Sequence, residues 1–450
     1  MSELIRYIMN KESVLNIGFD DTDSPTGMCT TFLAYKIVDL LQKQKTEFLD
    51  FPKLIRFNPN IPWKTRGNGA VSLKIKTRNP SKIKNQIKNL VSKYSDTKNG
   101  ANPGLVFFEN DSIPSEFTKF SNLALWQLIN RNSAKKFIQK NNLDFFYEGN
   151  GQGLVGAISA IGYDFHDHTL ELLSYRKKRK FGKKRKISSE SVKTMQEKTF
   201  PYTFNSFDTK KGRVLITPHG PDPVFYGVRG ENVDSLVNAT KILKSSEKLD
   251  GYMIFKSNQG TGDHLKNELN FETMKPYASG TLSGIVSNIP KIVKGGHVFF
   301  TIISKNHEFW CAVYKETGIS TIASNLIIGD EISIGGGVRK ASKNFPRIIN
   351  LEFIEIIHLK KNLSKSNPTC KKCSKKMKSK GQNQGFQCIR CGKKSSNKIT
   401  VEIPRKVKKQ LYIPKISAHR HLTRPLQRTG IINKTSKFDE SLSWFCVYRN

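Results

Sequence analysis

The densest acidic cluster of the chain lies in the segment NIGFDDTDSPTGMCTT, which covers residues 16–31 and contains Asp20, Asp21 and Asp23. Carboxylates repel phosphate unless a divalent metal lies between them, and Mg²⁺ is commonly held by one or two carboxylates plus substrate phosphates. The cluster therefore predicts a Mg–ATP site. The alternative is a turn with Asx hydrogen bonds and a threonine N-cap. Cys29 is either a nucleophile or a small buried residue.

A second cluster consists of four cysteines in two CxxC pairs separated by fourteen residues, namely Cys370, Cys373, Cys388 and Cys391. This spacing predicts a structural zinc ion held by four thiolates. The residues between the pairs are too polar to form a core, so the metal must supply folding free energy. The segment is rich in lysine, and we expect it to face nucleic acid.

Two polar loops offer further candidate site residues. In PNIPWKTRGNGA, Lys64 and Arg66 stand beside Gly67 and Gly69, and glycine leaves backbone N–H groups accessible to phosphate. The alternative for this loop is a Pro/Gly turn with solvated charges.

The second loop, PHGPDPVFY, is stiffened by proline and carries His219, Asp222 and Tyr226. Three polar groups on such a loop predict a site for a cation or a base, whereas the alternative is ordinary turn chemistry.

The charge of the chain indicates a polyanionic partner. It has 75 Lys+Arg against 37 Asp+Glu, a formal net charge of +38. Nucleic acid is the expected partner; the alternative is a general lysine bias of the proteome. Nine of the eleven residues in 176–186 are basic, which favours either a mobile contact with nucleic acid or a solvated loop. Basic residues recur near the end of the chain and predict contacts to phosphate or ribose: His419, Arg420, His421 and Arg424.

The apolar runs exclude a membrane protein. The longest, such as HVFFTIIS, are far shorter than the ~20 residues that span a bilayer. The first residues, MSELIRYIMNKESVL, lack the apolar region of a signal peptide. Together with cysteines arranged for a metal, these features predict a cytoplasmic protein.

Apolar periodicity shows which elements must position the acidic cluster. Residues 13–19 are a short apolar run typical of a buried strand, and from Thr30 onward Leu33, Ile37 and Leu41 have helical spacing. The carboxylates therefore lie between a strand end and a helix start, where ligands bind in α/β folds. Glycines 149, 151, 153 and 156 resemble a dinucleotide fingerprint, but no clear strand precedes them, so we do not predict a Rossmann unit.

The remaining residues fall into regions with different secondary-structure signals. Strand–helix–strand signals up to about residue 265 predict a small α+β unit that is ferredoxin-like. Five short strands between 276 and 357 predict an OB-fold barrel, in which Phe299, Phe309 and Trp310 either stack on bases or form the core. We predict five regions: residues 1–140 (ATP-binding), 141–268 (ferredoxin-like), 269–358 (OB-fold), 359–400 (zinc ribbon) and 401–450 (basic C-terminal tail).

The motifs GFDDTDSPTGMCTT, RFNPNIPWKTRGNGAV, NPGLVFF, PHGPDPVFYGVRGE, NQGT and RHLTRPL occur in this order, the last after the cysteine pairs. From about Val14 to Arg428 the chain resembles the archaeal isoleucine-tRNA 2-agmatinylcytidine synthetases. The resemblance implies a multidomain α+β enzyme with an N-terminal kinase-like domain. Such an enzyme uses ATP to join agmatine to C2 of the wobble cytidine in a CAU anticodon, so that the tRNA reads AUA instead of AUG. It also implies that the barrel and ribbon grip the acceptor arm, without an obligate protein partner.

The resemblance gives roles to individual residues. Asp20, Asp21 and Asp23 match the Mg–ATP carboxylates. Thr30 matches a threonine that the enzyme phosphorylates on itself, with Thr31 as the rival position. Lys64 and Arg66, with Gly67 and Gly69, match phosphate contacts. Independently of the resemblance, we place His219, Asp222 and Tyr226 near agmatine, because a dication needs an acidic partner and its amine must lose a proton.

The chain also departs from the family pattern. Phe19 stands where isoleucine is usual, the basic run after Tyr175 is longer than the family requires, and residues 429–450 have no recognised counterpart. Two other functions compete with the synthetase. One is a non-catalytic nucleic-acid-binding protein made of an OB-fold and a zinc ribbon. The other is a small-molecule kinase with an RNA-binding tail.

Overall fold

The structure, a computed structural model, describes residues 12–343, 345–434 and 438–448. The chain divides into two compact units. The first comprises residues 1–281, 335–347 and 413–450, and the second comprises residues 282–334 and 348–412. Within the described residues, no helix is long and apolar enough to cross a membrane.

The first unit is built on an eleven-stranded sheet. The bounds of its strands are β1 Ser13–Asp20, β2 Glu47–Phe48, β3 Lys53–Arg56, β4 Gly69–Thr77, β5 Gly104–Phe108, β6 Asp144–Tyr147, β7 Thr169–Arg176, β8 Thr203–Phe204, β11 Val224–Gly230, β12 Leu249–Ser257 and β25 Phe445–Val447. They follow the order β6-β5-β1-β4-β3-β12-β7-β11-β8, with β2 beside β4 and β25 beside β12. A separate pair is formed by β9 Phe207–Asp208 and β10 Arg213–Val214.

Helices cover this sheet: α1 Thr30–Lys43, α2 Pro80–Tyr94, α3 Ser115–Trp126, α4 Arg131–Lys140, α5 Gly153–Gly162, α6 Ser189–Thr199 and α7 Val233–Ile242. Single 3-10 turns occur at Thr97–Asn99, Lys178–Lys180, Asp263–Leu265, Ile416–Ala418 and Leu426–Arg428. The predicted strand at 13–19 and the helix from Thr30 are confirmed. Most of their apolar residues, among them Ile17 and Leu33, are buried in one core.

Glycines let helix α5 lie directly on β1. A Cβ at Gly18 would lie 2.1 Å from the carbonyl oxygen of Ala157, so no larger residue fits there. The expectation that no strand precedes the glycine-rich segment is wrong, because β6 ends at Tyr147 just before it. This strand pairs antiparallel with β5, so the segment is not the parallel βαβ unit of a Rossmann fold.

The C-terminal segment completes the first unit. Strand β25 pairs antiparallel with β12, and Trp444 is 2 % exposed among Phe48, Phe51 and Phe438. The segment from residue 413 onward is therefore part of a shared core, although its composition alone suggested only a basic tail.

Most residues of a closed barrel belong to the second unit, while the first three residues of one strand (279–281) and the last five of another (335–339) are grouped with the first unit. The bounds of its strands are β13 Ser279–Val286, β14 Lys291–Ile292, β15 Val298–Ser304, β16 His307–Val313, β17 Glu331–Arg339, β18 Ile348–His358 and β24 Leu411–Tyr412, with a 3-10 turn Lys315–Thr317 and a short helix α8 Ser320–Ala323. The sheet has the order β13-β17-β18-β16-β15-β14, with β24 beside β18, and a further pairing of β13 with β15 closes a ring of five strands. All five predicted barrel strands are present. Phe309 is buried in this barrel, whereas Phe299 and Trp310 are partly exposed.

The cysteine-containing segment folds into small hairpins of the second unit. Strands β20 Lys378–Ser379, β21 Phe386–Gln387 and β22 Lys394–Ser395 form a three-stranded sheet, and β19 Leu363–Ser366 pairs with β23 Ile399–Glu402. Among the described residues, Met377 and Phe386 are the only ones that join the cysteines in its core, which is as small as the polar sequence predicts.

Candidate active site

A cavity of about 510 Å³ opens in the first unit. Its size is typical of a site for a small-molecule ligand. Among its walls are most of the residues singled out from the sequence: Asp20, Asp21, Asp23, Thr30, Thr31, Lys64, Arg66, Gly67, Gly69, His219, Asp222, His419 and His421. The fold therefore brings together loops that are up to 400 residues apart in the chain.

The acidic loop begins where β1 ends. Asp21 adopts a left-handed backbone with φ 56°, and its N–H donates to Asp20 Oδ1 at 2.7 Å. Burial, and then repulsion from Asp23, raise the pKa of Asp21 to about 6. Burial and repulsion from Asp21 also raise the pKa of Asp20 well above its ordinary value. Buried carboxylates that repel one another favour a bound cation, so this loop fits a divalent metal.

The Asp20 carboxylate occupies space that is free because residue 156 is a glycine. A Cβ at Gly156 of helix α5 would lie 1.9 Å from Asp20 Oδ2. The absence of a side chain at residue 156 leaves the space that this carboxylate occupies. Gly153 and Gly156 of the glycine pattern are thus explained by close packing against Asp20, whereas Gly149 and Gly151 adopt positive φ angles of 62° and 74°.

The start of helix α1 carries the hydroxyl groups of the site. Thr30 is 4 % exposed, and the Thr22 hydroxyl donates to its Oγ1 at 3.1 Å. Cys29, not a threonine, is the N-cap residue, and its side chain makes no capping hydrogen bond. Burial raises the pKa of the Cys29 thiol, which argues against a thiolate nucleophile.

Arg66 connects the acidic loop to the proline-rich loop. Its Nη2 lies 2.8 Å from Asp23 Oδ2, and its Nη1 lies 2.9 Å from Asp222 Oδ2. The same guanidinium donates to the carbonyl oxygen of Met28 at 2.7 Å, just before helix α1. The predicted phosphate contact is therefore already engaged with two carboxylates, and any phosphate would have to share it.

The proline-rich loop presents Asp222 and His219 to the cavity. Burial raises the pKa of Asp222, although Arg185 and Arg66 oppose this shift. His219 Nε2 lies 2.9 Å from Arg213 Nη2. Tyr226 does not line the cavity. The register of β11 against β7 shifts between Val224 and Tyr226, and the tyrosine ring lies in the core.

A second charged cluster, which was not predicted from the sequence, also lines the cavity. Glu171 of β7 is buried, accepts from Gln259, and lies 3.3 Å from Arg229 Nε and 3.8 Å from Arg56 Nη2. Arg56 Nε is buried without a hydrogen-bond partner among the described residues. A charged residue inside an apolar strand, such as Glu171 in TLELLSYR, was the signal that could have revealed the cluster.

The glycines of the PNIPWKTRGNGA loop make room for this cluster. A Cβ at Gly67 would lie 2.6 Å from Arg56 Nη1 and 2.8 Å from His421 Cδ2, and one at Gly69 would lie 2.8 Å from Arg56 Nη1. Lys64 lies on the same loop, and burial together with Arg420 lowers its pKa. A larger residue at 67 or 69 would therefore displace the end of the Arg56 side chain, and one at 67 would also displace the His421 ring.

The four basic residues predicted to bind tRNA have different environments. His419 and His421 line the cavity, and burial lowers the pKa of both, which favours neutral imidazoles. Arg420 donates to Asn60 Oδ1 at 2.7 Å. Arg424 forms an ion pair with Asp167 and lies outside the cavity wall.

The four cysteines of the second unit converge. Their Sγ atoms all lie within 4.8 Å of one another. Each CxxC pair ends in the same turn: the N–H of Ser374 donates to the Cys370 carbonyl at 2.8 Å, and that of Gly392 donates to the Cys388 carbonyl at 2.9 Å. A tetrahedral ion with Zn–S bonds of about 2.3 Å would hold the sulfurs about 3.8 Å apart. The cluster therefore fits one zinc ion.

Comparison with known proteins identifies the family. The chain is 46% identical over 434 residues to the isoleucine-tRNA 2-agmatinylcytidine synthetase TiaS of Cenarchaeum symbiosum, covering 96% of this chain and 97% of that protein. The chain belongs to the TiaS family. The TiaS protein of Methanocaldococcus jannaschii is 38% identical over 427 residues, with coverage of 92% and 99%.

Family models and solved TiaS structures agree. The TiaS TCKD domain matches residues 16–150, the TiaS FLD domain matches 151–264, and the TiaS C-terminal zinc ribbon domain matches 367–407. Apo TiaS matches with a TM-score of 0.83 and 33% identity, covering 92% of this chain and 97% of that one. A complex of TiaS with its isoleucine tRNA, AMPCPP and agmatine matches with a TM-score of 0.81 and 30% identity, covering 95% of this chain and 100% of that one.

The TiaS domains share the cavity. The TCKD match contains the acidic loop, the start of α1 and Arg66, whereas the FLD match contains Glu171 and Asp222. Strands β3 and β12, one from each match, pair in parallel through Lys53 and Lys256 and join the two domains in one sheet.

Proposed function

We propose that this protein is an ATP-dependent ligase that joins agmatine to C2 of the wobble cytidine in the CAU anticodon of an isoleucine tRNA. The observation that carries the proposal is the match to a solved complex of TiaS with its isoleucine tRNA, AMPCPP and agmatine. A cavity lined by carboxylates, hydroxyls and guanidinium groups supports it. The modified tRNA would read AUA instead of AUG.

The reaction requires two transfers. The C2 oxygen of cytosine is a poor leaving group, so the γ-phosphoryl group of ATP is first transferred to it. The primary amine of agmatine, after losing a proton, then attacks C2; the C2–O bond breaks and the oxygen departs with phosphate. The base must leave the anticodon stack to reach the cavity.

The acidic loop is the proposed site of Mg–ATP. Asp20 is the last residue of β1, Asp23 forms an ion pair with Arg66, and burial raises the pKa of Asp20, Asp21 and Asp23. When bound, Mg²⁺ neutralises phosphate charge beside these carboxylates. Lys64 and Arg66 are the proposed phosphate contacts. Both lie in the cavity wall.

Thr30 is the proposed site of self-phosphorylation, with Thr31 as the alternative. Thr30 is the first residue of α1, its hydroxyl is paired with Thr22, and it lines the same cavity as the acidic loop. Developing negative charge on its oxygen lies at a helix N-terminus, where the helix dipole is favourable.

His219 and Asp222 are proposed to bind agmatine. Agmatine carries a guanidinium and an ammonium group, and Asp222 and Glu171 are the carboxylates of the cavity that lie outside the acidic loop. His419, Arg420, His421 and Arg424 are proposed to contribute to tRNA binding, together with the barrel and the zinc ribbon. The net charge of +38 supports a tRNA-sized contact surface.

The domain plan completes the proposal. Residues 1–140 form a kinase-like domain, 141–268 a ferredoxin-like domain, 269–358 an OB-fold, 359–400 a zinc ribbon and 401–450 the C-terminal region. A cytoplasmic location is also proposed, because the proposed substrate is a tRNA.

Mass spectrometry of tRNA nucleosides tests the proposal. A CAU-anticodon isoleucine tRNA transcript is incubated with the protein, agmatine, ATP and Mg²⁺. We expect one cytidine to gain the mass of agmatine less water, and Thr30→Ala and Thr31→Ala, compared in parallel, to show which hydroxyl is required. Tight tRNA binding without a mass gain would refute the proposal. Phosphate transfer that proceeds equally well without tRNA would also refute it.

A further inference from the structure

Two arginines of the basic run 176–186 differ from their neighbours. Arg176 is fully buried and lies 2.7 Å from Glu247, and its Nη1 donates to the carbonyl oxygen of Lys183 at 2.6 Å. The Arg185 side chain is 7 % exposed, whereas Lys184 beside it is exposed. The run is therefore a closed loop held at both ends by arginine.

Arg185 makes an unusual number of contacts with one other segment, the proline-rich loop 218–224. Its guanidinium donates to the carbonyl oxygens of Val224 at 2.7 Å, Pro218 at 3.0 Å, Gly220 at 2.7 Å and Asp222 at 2.7 Å. It also reaches Asp222 Oδ1 at 3.2 Å. Four carbonyl groups of a short loop thus converge on one planar cation, which fixes the path of the loop.

The contacts continue into the cavity. While Arg185 holds Oδ1 of Asp222, Arg66 holds Oδ2 at 2.9 Å, and Arg66 also holds Asp23 at 2.8 Å. Arg185, Asp222, Arg66 and Asp23 therefore form an alternating row of charges. The row connects the outside of the proline-rich loop to the acidic loop.

We propose that Arg185 is a positioning residue for the agmatine half of the reaction, which sets the shape of the 218–224 loop and the direction of the Asp222 carboxylate. This inference rests on the proposed function. Arg185 lies outside the cavity wall, so it acts through Asp222 and not by contact with substrate. The basic run would thus contribute to the active site through one buried arginine rather than through its exposed lysines.

The planar fork of arginine is essential to this role. An ammonium group has three donors at one point, so lysine cannot reach four carbonyl oxygens in different directions. Arg185→Lys keeps the charge but loses the fork, and Arg185→Ala loses both. Lys184→Ala removes a neighbouring exposed charge, so it reports any contribution of the run to tRNA binding.

The test measures KM for agmatine, KM for ATP, tRNA affinity and hydrogen exchange of peptides covering 215–227 in the full-length protein. We expect both Arg185 variants to raise KM for agmatine by about tenfold or more, because small displacements of positioning groups cost that much. KM for ATP should stay unchanged, because the Asp23–Arg66 pair remains. Exchange in 215–227 should increase in both Arg185 variants but not in Lys184→Ala.

Two results would overturn the inference. One is an unchanged KM for agmatine in Arg185→Ala; the other is an equal loss of tRNA affinity in Arg185→Ala and Lys184→Ala, which would make the run an RNA contact. Failure of the proposed function would be distinct, since the wild-type protein would then form no agmatinylated cytidine. Even in that case, unchanged exchange of the loop in Arg185→Ala would refute the role of Arg185.

Discussion

Replacing Asp21 with asparagine is expected to stabilise the metal-free protein while abolishing its activity. Burial and repulsion from Asp23 raise the pKa of Asp21 from 3.8 to about 6. Since one pKa unit corresponds to about 1.4 kcal/mol, holding this carboxylate ionised lowers the free energy of unfolding by up to about 3 kcal/mol at pH 7.5. Asparagine has the same shape and tolerates the left-handed backbone at φ 56°.

The loss of stability caused by the Asp21 charge increases with pH. The folded pKa lies above the unfolded pKa, so the destabilising term is absent below about pH 4, grows between pH 4 and pH 6 and is complete above pH 6. We expect Asp21→Asn to raise Tm by about 2–4 °C at pH 7.5, and by less at pH 5.

Calorimetry in EDTA at both pH values measures this difference, with the exposed Glu272→Gln as the matched carboxylate control. Mg²⁺ should then raise the Tm of the wild type but not that of Asp21→Asn, because the metal binds the ionised carboxylates. A lower Tm of Asp21→Asn at pH 7.5, or a difference that does not change with pH, would refute the reasoning.

Three further predictions follow from packing and metal binding. Gly156→Ala would place a Cβ 1.9 Å from Asp20 Oδ2, so the displaced carboxylate should slow ATP-dependent phosphorylation by about a hundredfold in single-turnover assays; a normal rate would contradict this. Cys388→Ser should abolish zinc in metal analysis and weaken tRNA binding while ATP-dependent phosphorylation persists, and unchanged tRNA affinity would refute the role of the ribbon. Trp444→Ala should lower the free energy of unfolding by about 3–5 kcal/mol in denaturant titrations, whereas a loss below about 1 kcal/mol would mean that the C-terminal segment is not part of the cooperative core.

Local pattern sufficed for much of the fold. Strand β1 was predictable from a short continuous apolar run, helix α1 from the helical spacing of its apolar residues, and the five barrel strands from short apolar runs between turn residues. Pairing of distant strands has no such local signal. Nothing in the sequence of β12 indicates that Lys256 pairs with Lys53 or that Gly251 pairs with Val447.

Some residues of the candidate site were likewise predictable from local motifs, and others were not. Motifs predicted that the acidic loop, Arg66 and Asp222 belong together, and the structure places them in one cavity. Glu171 and Arg56 were missed because their significance depends on which strands are neighbours. Composition likewise could not separate Arg185, which is buried, from exposed Lys184, since both count as positive charges in one basic run.

The discontinuity of the first unit has a consequence for the order of events on the ribosome. His419, His421 and Trp444 belong to this unit, but the segment that contains them begins at residue 413, after the whole second unit. Translation from residue 281 to residue 413 adds roughly 130 residues, which takes about 7–25 seconds at typical elongation rates. During that interval the sheet lacks β25, and the cavity lacks His419 and His421. A nascent or prematurely terminated chain would therefore contain the acidic loop but an incomplete cavity. Completion of the cavity is thus coupled to synthesis of the segment that begins at residue 413.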